Sequence, residues 1–210
     1  MNNFRIPVSV VDDFWFDPYS LVDYAKTLKF DGPSGNHHFP GVRCNIEQKN
    51  PELFSSIINS VLSLFVDVDD QTEWQASLAF QITDSSLRQG WIHQDDGSLM
   101  AFILYLNDFP DTSSGTSIFT RKIYDTSLEN ESIKDFKRRT HKGELPLDEN
   151  YFDVLNQFNS QFEETMEVKN QFNRLLVFDS NTYHGVKKFV DNRLTLVGFI
   201  NGLKGRKYYN

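Results

Sequence analysis

Two histidines and one aspartate in this chain have the types and spacing of metal ligands. His93 and Asp95 lie two positions apart at the end of a predicted strand, so their side chains project from the same face. His184 follows another predicted strand, 173–179, across a short turn. Two imidazoles and one carboxylate, with coordination positions left open, form the facial triad that holds non-haem Fe(II). The pattern therefore predicts a metal centre.

An isolated His-X-Asp pair is commonly a surface pair, so the interpretation depends on other polar residues. Arg193 opens an apolar predicted strand nine residues after His184. Its planar guanidinium suits two-pronged binding of a carboxylate, and the alternative is an ordinary salt bridge. Thr195 shares the face of Arg193. Tyr105, in a third apolar strand, carries a hydroxyl that needs a partner and is otherwise structural.

The elements that must position these residues fall into two parts. Apolar residues at three- and four-residue steps predict surface helices over 17–30 and from about 50 to 65, with a Gly- and Pro-containing loop, 31–45, between them. After residue 70, short β-branched and aromatic runs predict strands over 73–83, 90–95, 99–107, 116–121, 173–179 and 193–201. This order favours a jelly roll or sandwich over alternating βαβ units.

An insert interrupts the strands. Residues 122–147 have mixed charge and little periodicity, which predicts a solvated loop, or alternatively a flap beside the substrate. Residues 151–166 place aromatic side chains on one helical face, which predicts an inserted helix against a sheet. His37 and His38 lie in a polar loop, and we expect a solvated pair there rather than a metal tract.

Composition excludes several classes of protein. The chain has 210 residues, a net charge of −8 and one cysteine, Cys44. We expect one domain, with 1–70 as helical support and 71–210 as the β core. The negative charge disfavours nucleic acid and anionic lipid as partners. The longest apolar run, 99–106, is too short to span a bilayer, and we expect a cytoplasmic protein.

Taken together, the motifs resemble those of the 2-oxoglutarate- and Fe(II)-dependent dioxygenases, and among them the prolyl-hydroxylase-like branch. The resemblance covers roughly residues 73–204. It rests on the order and spacing of 90–95, 102–108, 114–119, 178–179, His184 and 193–195. Two departures stand out: the turn has Ser114-Gly115 where the family has two glycines, and Gln81 stands where the family often has a tyrosine near the co-substrate.

The resemblance implies a double-stranded β-helix, that is, a jelly roll, with N-terminal helices and one inserted helix packed outside. It implies that His93, Asp95 and His184 bind Fe(II), and that Arg193 binds the distal carboxylate of 2-oxoglutarate. Three further residues would support that co-substrate, namely Tyr105, Thr195 and Gln81. The implied reaction uses O2 to hydroxylate a substrate and releases succinate and CO2, with ascorbate as a reductant.

Two other classes of function stay open at this point. A jelly-roll module that binds metal without catalysis, or a metal-assisted hydrolase, would share the triad but have no use for Arg193. Within the oxygenase class, a protein side chain and a small metabolite are both candidate substrates, and the net charge of −8 argues against a nucleobase. Oligomeric state is not predicted.

Overall fold

Nine antiparallel strands in two sheets make up the β core of the computed structural model, which describes residues 6–34, 39–95, 97–123 and 131–204. The larger sheet has the order β1-β7-β4-β9-β3-β2, and the smaller has the order β6-β5-β8. The strands are β1 (Ser9–Val11), β2 (Val42–Asn45), β3 (Glu73–Thr83), β4 (Met100–Tyr105), β5 (Thr116–Arg121), β6 (Phe162–Val168), β7 (Leu175–Asp179), β8 (Tyr183–Gly185) and β9 (Arg193–Lys204). The predicted mainly β jelly roll is confirmed.

The helices flank this core. They are α1 (Pro18–Lys26), α2 (Pro51–Leu62), α3 (Glu131–His141) and α4 (Glu149–Asn159). Asp17 and Asn50 cap α1 and α2 by accepting backbone N–H bonds from Ser20 and Leu53, and each helix begins with a proline. Among the described helices, none combines the length and apolar character needed to cross a bilayer.

Strand alternation gives the larger sheet one apolar and one partly polar face. On β9, Leu194, Leu196 and Ile200 belong to or pack against the main hydrophobic cluster, which also contains the buried residues of α1 and α2. The alternate residues Arg193 and Thr195 therefore point to the opposite face. Helices α1 and α2 cover one face of the sheet, so the other face is available for a site.

The pairing of strands sets which polar residues share that second face. Thr83 of β3 lies opposite Arg193, and Gln81 lies opposite Thr195. Tyr105 of β4 lies opposite Thr195 from the other side. Residues directly opposite in an antiparallel pair project from the same face, so this register assembles a polar cluster at one end of the sheet.

The insert differs from its predicted form. Helix α3 lies where a loop was predicted, so the insert contains two helices rather than one. The helix predicted over 151–166 ends at Asn159, and β6 follows it, paired with β5. Phe162, which continues the aromatic spacing beyond the helix, begins β6, and its ring centroid lies 4.9 Å from that of Tyr183 on β8.

Two other predicted elements are also corrected. Residues 90–95 do not form a strand; His93 makes an isolated antiparallel bridge with His184 instead. The loop predicted over 31–45 ends in strand β2, which pairs with β3 at the edge of the larger sheet. The predicted pair His37 and His38 lies outside the described residues.

Candidate metal centre and adjoining cavity

The structure brings His93, Asp95 and His184 together. One ligand atom from each lies within 4.8 Å of the others. His93 Nε2 is 3.6 Å from Asp95 Oδ1, and His184 Nε2 is 3.5 Å from Asp95 Oδ2. The bridge between the two histidines holds the backbones in place through His93 N–H to His184 O at 3.0 Å and the reciprocal bond at 2.9 Å.

Hydrogen bonds to the backbone fix the orientation of both imidazole rings. Nδ1 of His93 lies 2.8 Å from the carbonyl oxygen of Trp91, and Nδ1 of His184 lies 3.0 Å from that of Thr182. A carbonyl oxygen can only accept, so each Nδ1 carries the proton and donates. The lone pair of each Nε2 is then directed at the space beside Asp95, which is the arrangement that metal-binding histidines use.

The charge states of the three groups suit a divalent cation. Burial, together with the neighbouring His93, lowers the pKa of His184 to about 4, so the ring is neutral at pH 7. Burial raises the pKa of Asp95, but the neighbouring His93, His184 and Arg43 outweigh it and leave the pKa below its ordinary value. His184 thus offers a neutral imidazole and Asp95 a carboxylate, both of which suit a divalent cation.

A second polar group surrounds Arg193, which is buried. Its Nε donates to the carbonyl oxygen of Ser114 at 2.7 Å, and its Cζ lies 5.5 Å from the ring centroid of Tyr105. The Tyr105 hydroxyl donates to Thr116 Oγ1 at 2.9 Å, and burial raises the pKa of Tyr105. The Nε donor of the Arg193 guanidinium is thus occupied by Ser114, and the other N–H donors of the group are left for other partners.

Several buried polar atoms have no partner within the described part of the chain. They include Arg193 Nη2, Thr195 Oγ1, Thr83 Oγ1 and Asp95 Oδ2. Leaving a buried donor or acceptor unpaired is costly, so such atoms at one place indicate a ligand. Carboxylate oxygens match the guanidinium and hydroxyl donors, and a cation matches Asp95 Oδ2. The residues therefore fit both a divalent metal and a dicarboxylate.

The turn at Ser114-Gly115 explains one departure from the family pattern. A Cβ on Gly115 would lie 2.0 Å from the Val168 carbonyl oxygen, so only glycine fits there. Ser114 is fully buried, donates from Oγ to the Asp111 carbonyl at 2.7 Å and accepts from Asn170 Nδ2 at 2.9 Å. Serine is accommodated by these bonds, while its backbone carbonyl positions Arg193.

One cavity of about 410 Å³ is lined by both the triad and Arg193, whereas Tyr105 and Thr195 are not among its lining residues. Its lining includes all three triad residues, Arg193, Gln81 and aromatic rings from several elements. Gln81 does lie beside the predicted co-substrate residues, but its amide is already engaged. It accepts from Arg43 Nη2 at 3.2 Å and donates to the Pro40 carbonyl at 2.7 Å.

Sequence reasoning missed two cavity-lining cations, Arg43 and Lys137. Arg43 lies on β2, in a stretch predicted as loop, and its register opposite Gln81 places it on the site face. Lys137 belongs to a basic run that was predicted to be solvated, but helix α3 turns it to the cavity. Sequence spacing gave no signal for either residue, because both depend on long-range packing.

Comparison with known proteins adds a family and a fold. A model of a family of unknown function, DUF6445, matches residues 1–189. A search of curated proteins found no match. Among solved structures, a prolyl-4-hydroxylase from Pseudomonas putida is 15% identical with a TM-score of 0.52, covering 92% of this chain and 91% of that one.

Two further solved structures have similar statistics. HygX from Streptomyces hygroscopicus, solved with nickel and 2-oxoglutarate bound, is 13% identical with a TM-score of 0.51, covering 91% of this chain and 82% of that one. A Trichoplax adhaerens prolyl hydroxylase in complex with a hypoxia-inducible-factor peptide fragment is 13% identical with a TM-score of 0.51, covering 92% and 82%. At these identities the likeness is one of fold: a double-stranded β-helix.

Proposed function

The chain belongs to the DUF6445 family and has the fold of 2-oxoglutarate-dependent oxygenases, and on that premise we propose that it is a 2-oxoglutarate- and Fe(II)-dependent oxygenase. It would hydroxylate a small metabolite or a protein side chain. The observation that carries the proposal is a His-Asp-His cluster sharing one cavity with a buried arginine that has an unpaired donor.

His93 Nε2, His184 Nε2 and one carboxylate oxygen of Asp95 would hold the iron. When bound, Fe(II) supplies the oxidising chemistry together with O2 and 2-oxoglutarate, and ascorbate would keep it reduced. The Nδ1–H bonds to Trp91 and Thr182 fix both rings before metal arrives, so little ordering is needed on binding.

Arg193 would bind the distal carboxylate of 2-oxoglutarate. Its Nη2 and the hydroxyl of Thr195 are the unpaired donors available for this, and Tyr105 supports the guanidinium from beneath. A charged pair in a buried pocket is strengthened by the low local dielectric. Gln81 would support the co-substrate site indirectly, because its amide accepts a hydrogen bond from Arg43 and donates one to the Pro40 carbonyl oxygen.

The overall reaction balances without another reactant. Substrate, O2 and 2-oxoglutarate give hydroxylated substrate, succinate and CO2, with one oxygen atom in the hydroxyl group and the other in succinate. The chain's own part is to fix the ligands, anchor the co-substrate and exclude bulk water from the cavity.

We also infer a single cytoplasmic domain and no nucleic-acid partner, supported by the one cysteine and the charge of −8.

A metal-assisted hydrolase or a non-catalytic metal-binding module would need the triad alone. Neither would need an arginine that is 3% exposed, lines the same cavity as the triad and has an unpaired Nη2. An unused buried charge would destabilise the fold. This observation favours the oxygenase over both alternatives.

Succinate release tests the proposal. Purified protein with Fe(II), ascorbate and 2-oxoglutarate should form succinate slowly even without substrate, and His93→Ala should reduce this to the level of free iron. Arg174→Lys is a matched surface control, since Arg174 pairs with Asp12 and does not line the cavity. Equal succinate from wild type and His93→Ala would refute the proposal.

A further inference from the structure

Two cations in the cavity are not used by the proposed metal and co-substrate sites. Arg43 of β2 and Lys137 of α3 come from segments far apart in sequence and line the same cavity as the triad. Both are half-buried, and both interact electrostatically with Asp95. Neither forms an ion pair with a carboxylate within the described ranges.

The contrast with neighbouring basic residues is clear. On the same helix as Lys137, Arg138 pairs with Asp135 and Arg139 pairs with Glu144. The chain has 29 acidic and 21 basic residues, so acidic partners are plentiful. A cation kept without a carboxylate in an acidic protein, and turned into a cavity, is therefore available to a ligand.

The surroundings of Arg43 hold its guanidinium at the cavity wall. Nη2 donates to Gln81 Oε1, while the Nε atom is buried without a partner in the described structure. The Cζ atom lies 4.5 Å from the ring centroid of Phe39 and 6.0 Å from that of Phe199. Burial lowers the pKa of Arg43 to about 10, so the group stays charged at neutral pH.

Lys137 lies over an aromatic part of the same wall. Its Nζ is 5.8 Å from the ring centroid of Trp91, and Trp91 Nε1 donates to the Tyr151 hydroxyl at 2.8 Å. The ammonium is thus held near the triad by packing from the insert rather than by a counter-ion. An apolar ligand body would have the rings of Phe39, Trp91 and Phe199 to contact.

The sum of charges in the proposed complex indicates a role for Arg43 and Lys137. In the proposed complex, the charges of Fe(II), Asp95, Arg193 and doubly negative 2-oxoglutarate sum to zero, and the imidazoles are neutral. Arg43 and Lys137 then remain as uncompensated positive charges in the cavity. Resting on the proposed function, we propose that the substrate is a small molecule bearing a carboxylate or phosphate, and that Arg43 and Lys137 bind this anionic group beside the metal centre.

The test uses matched aromatic probes and a redox-inert metal. Ligand-observed NMR would measure binding of benzoate, phenyl phosphate and neutral benzamide to protein loaded with Mn(II) and saturated with 2-oxoglutarate, so that Arg193 is already occupied. The anions should bind more tightly than benzamide, and comparison of the two anions distinguishes a carboxylate from a phosphate substrate. Arg43→Gln and Lys137→Gln should each weaken the anions about tenfold or more and leave benzamide unchanged.

Lys134→Gln is the control, because it removes the same charge from the same helix at an exposed residue that pairs with Glu131. Arg43→Lys keeps the charge and should retain most of the anion preference if Arg43→Gln proves unstable. Anions that bind no better than benzamide, or a loss of 2-oxoglutarate affinity in Arg43→Gln equal to that in Arg193→Gln, would overturn the inference. Failure of wild type to bind Mn(II) and 2-oxoglutarate would instead refute the proposed function.

Discussion

Replacing Arg193 should weaken 2-oxoglutarate binding far more than metal binding. The side chain is 3% exposed, is fixed through Nε by Ser114 and lies against Tyr105, so its vacant Nη2 is already in position. Truncating one member of a buried charge pair typically costs ~2–5 kcal/mol. Since 1.4 kcal/mol is tenfold, Arg193→Ala should weaken 2-oxoglutarate roughly 30-fold to several thousand-fold.

Arg193→Lys should fall between wild type and Arg193→Ala, because lysine keeps the charge but loses the planar pair of donors. The assay is calorimetric titration of 2-oxoglutarate into Mn(II)-loaded protein, with Mn(II) affinity and far-UV circular dichroism measured on each variant. Arg174→Lys serves as the surface control. An unchanged 2-oxoglutarate affinity in folded Arg193→Ala would remove this arginine from the site and refute the reasoning.

Three other outcomes are expected. His184→Ala should abolish Fe(II) retention in an equilibrium-dialysis assay, because it removes one of three protein ligands; full retention would exclude His184 as a ligand. Burial lowers the pKa of Lys137 to about 8, although the charge of Asp95 opposes this shift. Benzoate affinity should therefore fall between pH 7 and pH 9, as Lys137 loses its proton. Lys137→Arg should abolish that fall, and an identical fall in this variant would contradict the assignment. Gly198→Ala places a Cβ 2.1 Å from the Phe102 ring, and such overpacking costs about 1–3 kcal/mol of stability, which lowers Tm by roughly 2–12 °C in thermal unfolding. Gly32→Ala has open space around the new Cβ and should cost far less stability. Equal losses of Tm in the two variants would contradict the packing argument.

The β core could be predicted because its central strands carry a strong signal. Strands β3, β4, β7 and β9 are apolar runs bounded by turn residues. Alternate side chains along them are apolar because they pack against the face of the sheet that the helices cover. The short strand β8 lacks such a run. Its position follows from pairing with β5 and from the bridge between His93 and His184, which are long-range contacts. Periodicity over three residues cannot show this.

The insert could not be predicted for a different reason. Strand β6 is mostly exposed and rich in glutamate, so it has no apolar alternation, and the spacing of Phe158 and Phe162 imitates one helical turn across the end of α4. Helix α3 is polar overall. The same features concealed the placement of Lys137, while Arg43 was concealed because edge strand β2 has only four residues.

The triad and Arg193 could be proposed from sequence because of their residue types and spacing, although residues 90–95 do not form the strand that was predicted to hold His93 and Asp95. His93 is two residues before Asp95, and Arg193 begins β9. Their meeting in one cavity depends on the bridge between His93 and His184 and on the pairing of β9 with β3 and β4, which residue spacing alone does not establish.

The central claim is that metal and 2-oxoglutarate bind together in this cavity. The most direct measurement is an anaerobic titration of Fe(II)-loaded protein with 2-oxoglutarate, following the visible metal-to-ligand charge-transfer band. Wild type should develop the band at saturable 2-oxoglutarate concentrations, Asp95→Ala should not develop it, and Arg193→Ala should require much more 2-oxoglutarate. Wild-type protein that retains Fe(II) but develops no band with 2-oxoglutarate would contradict the account.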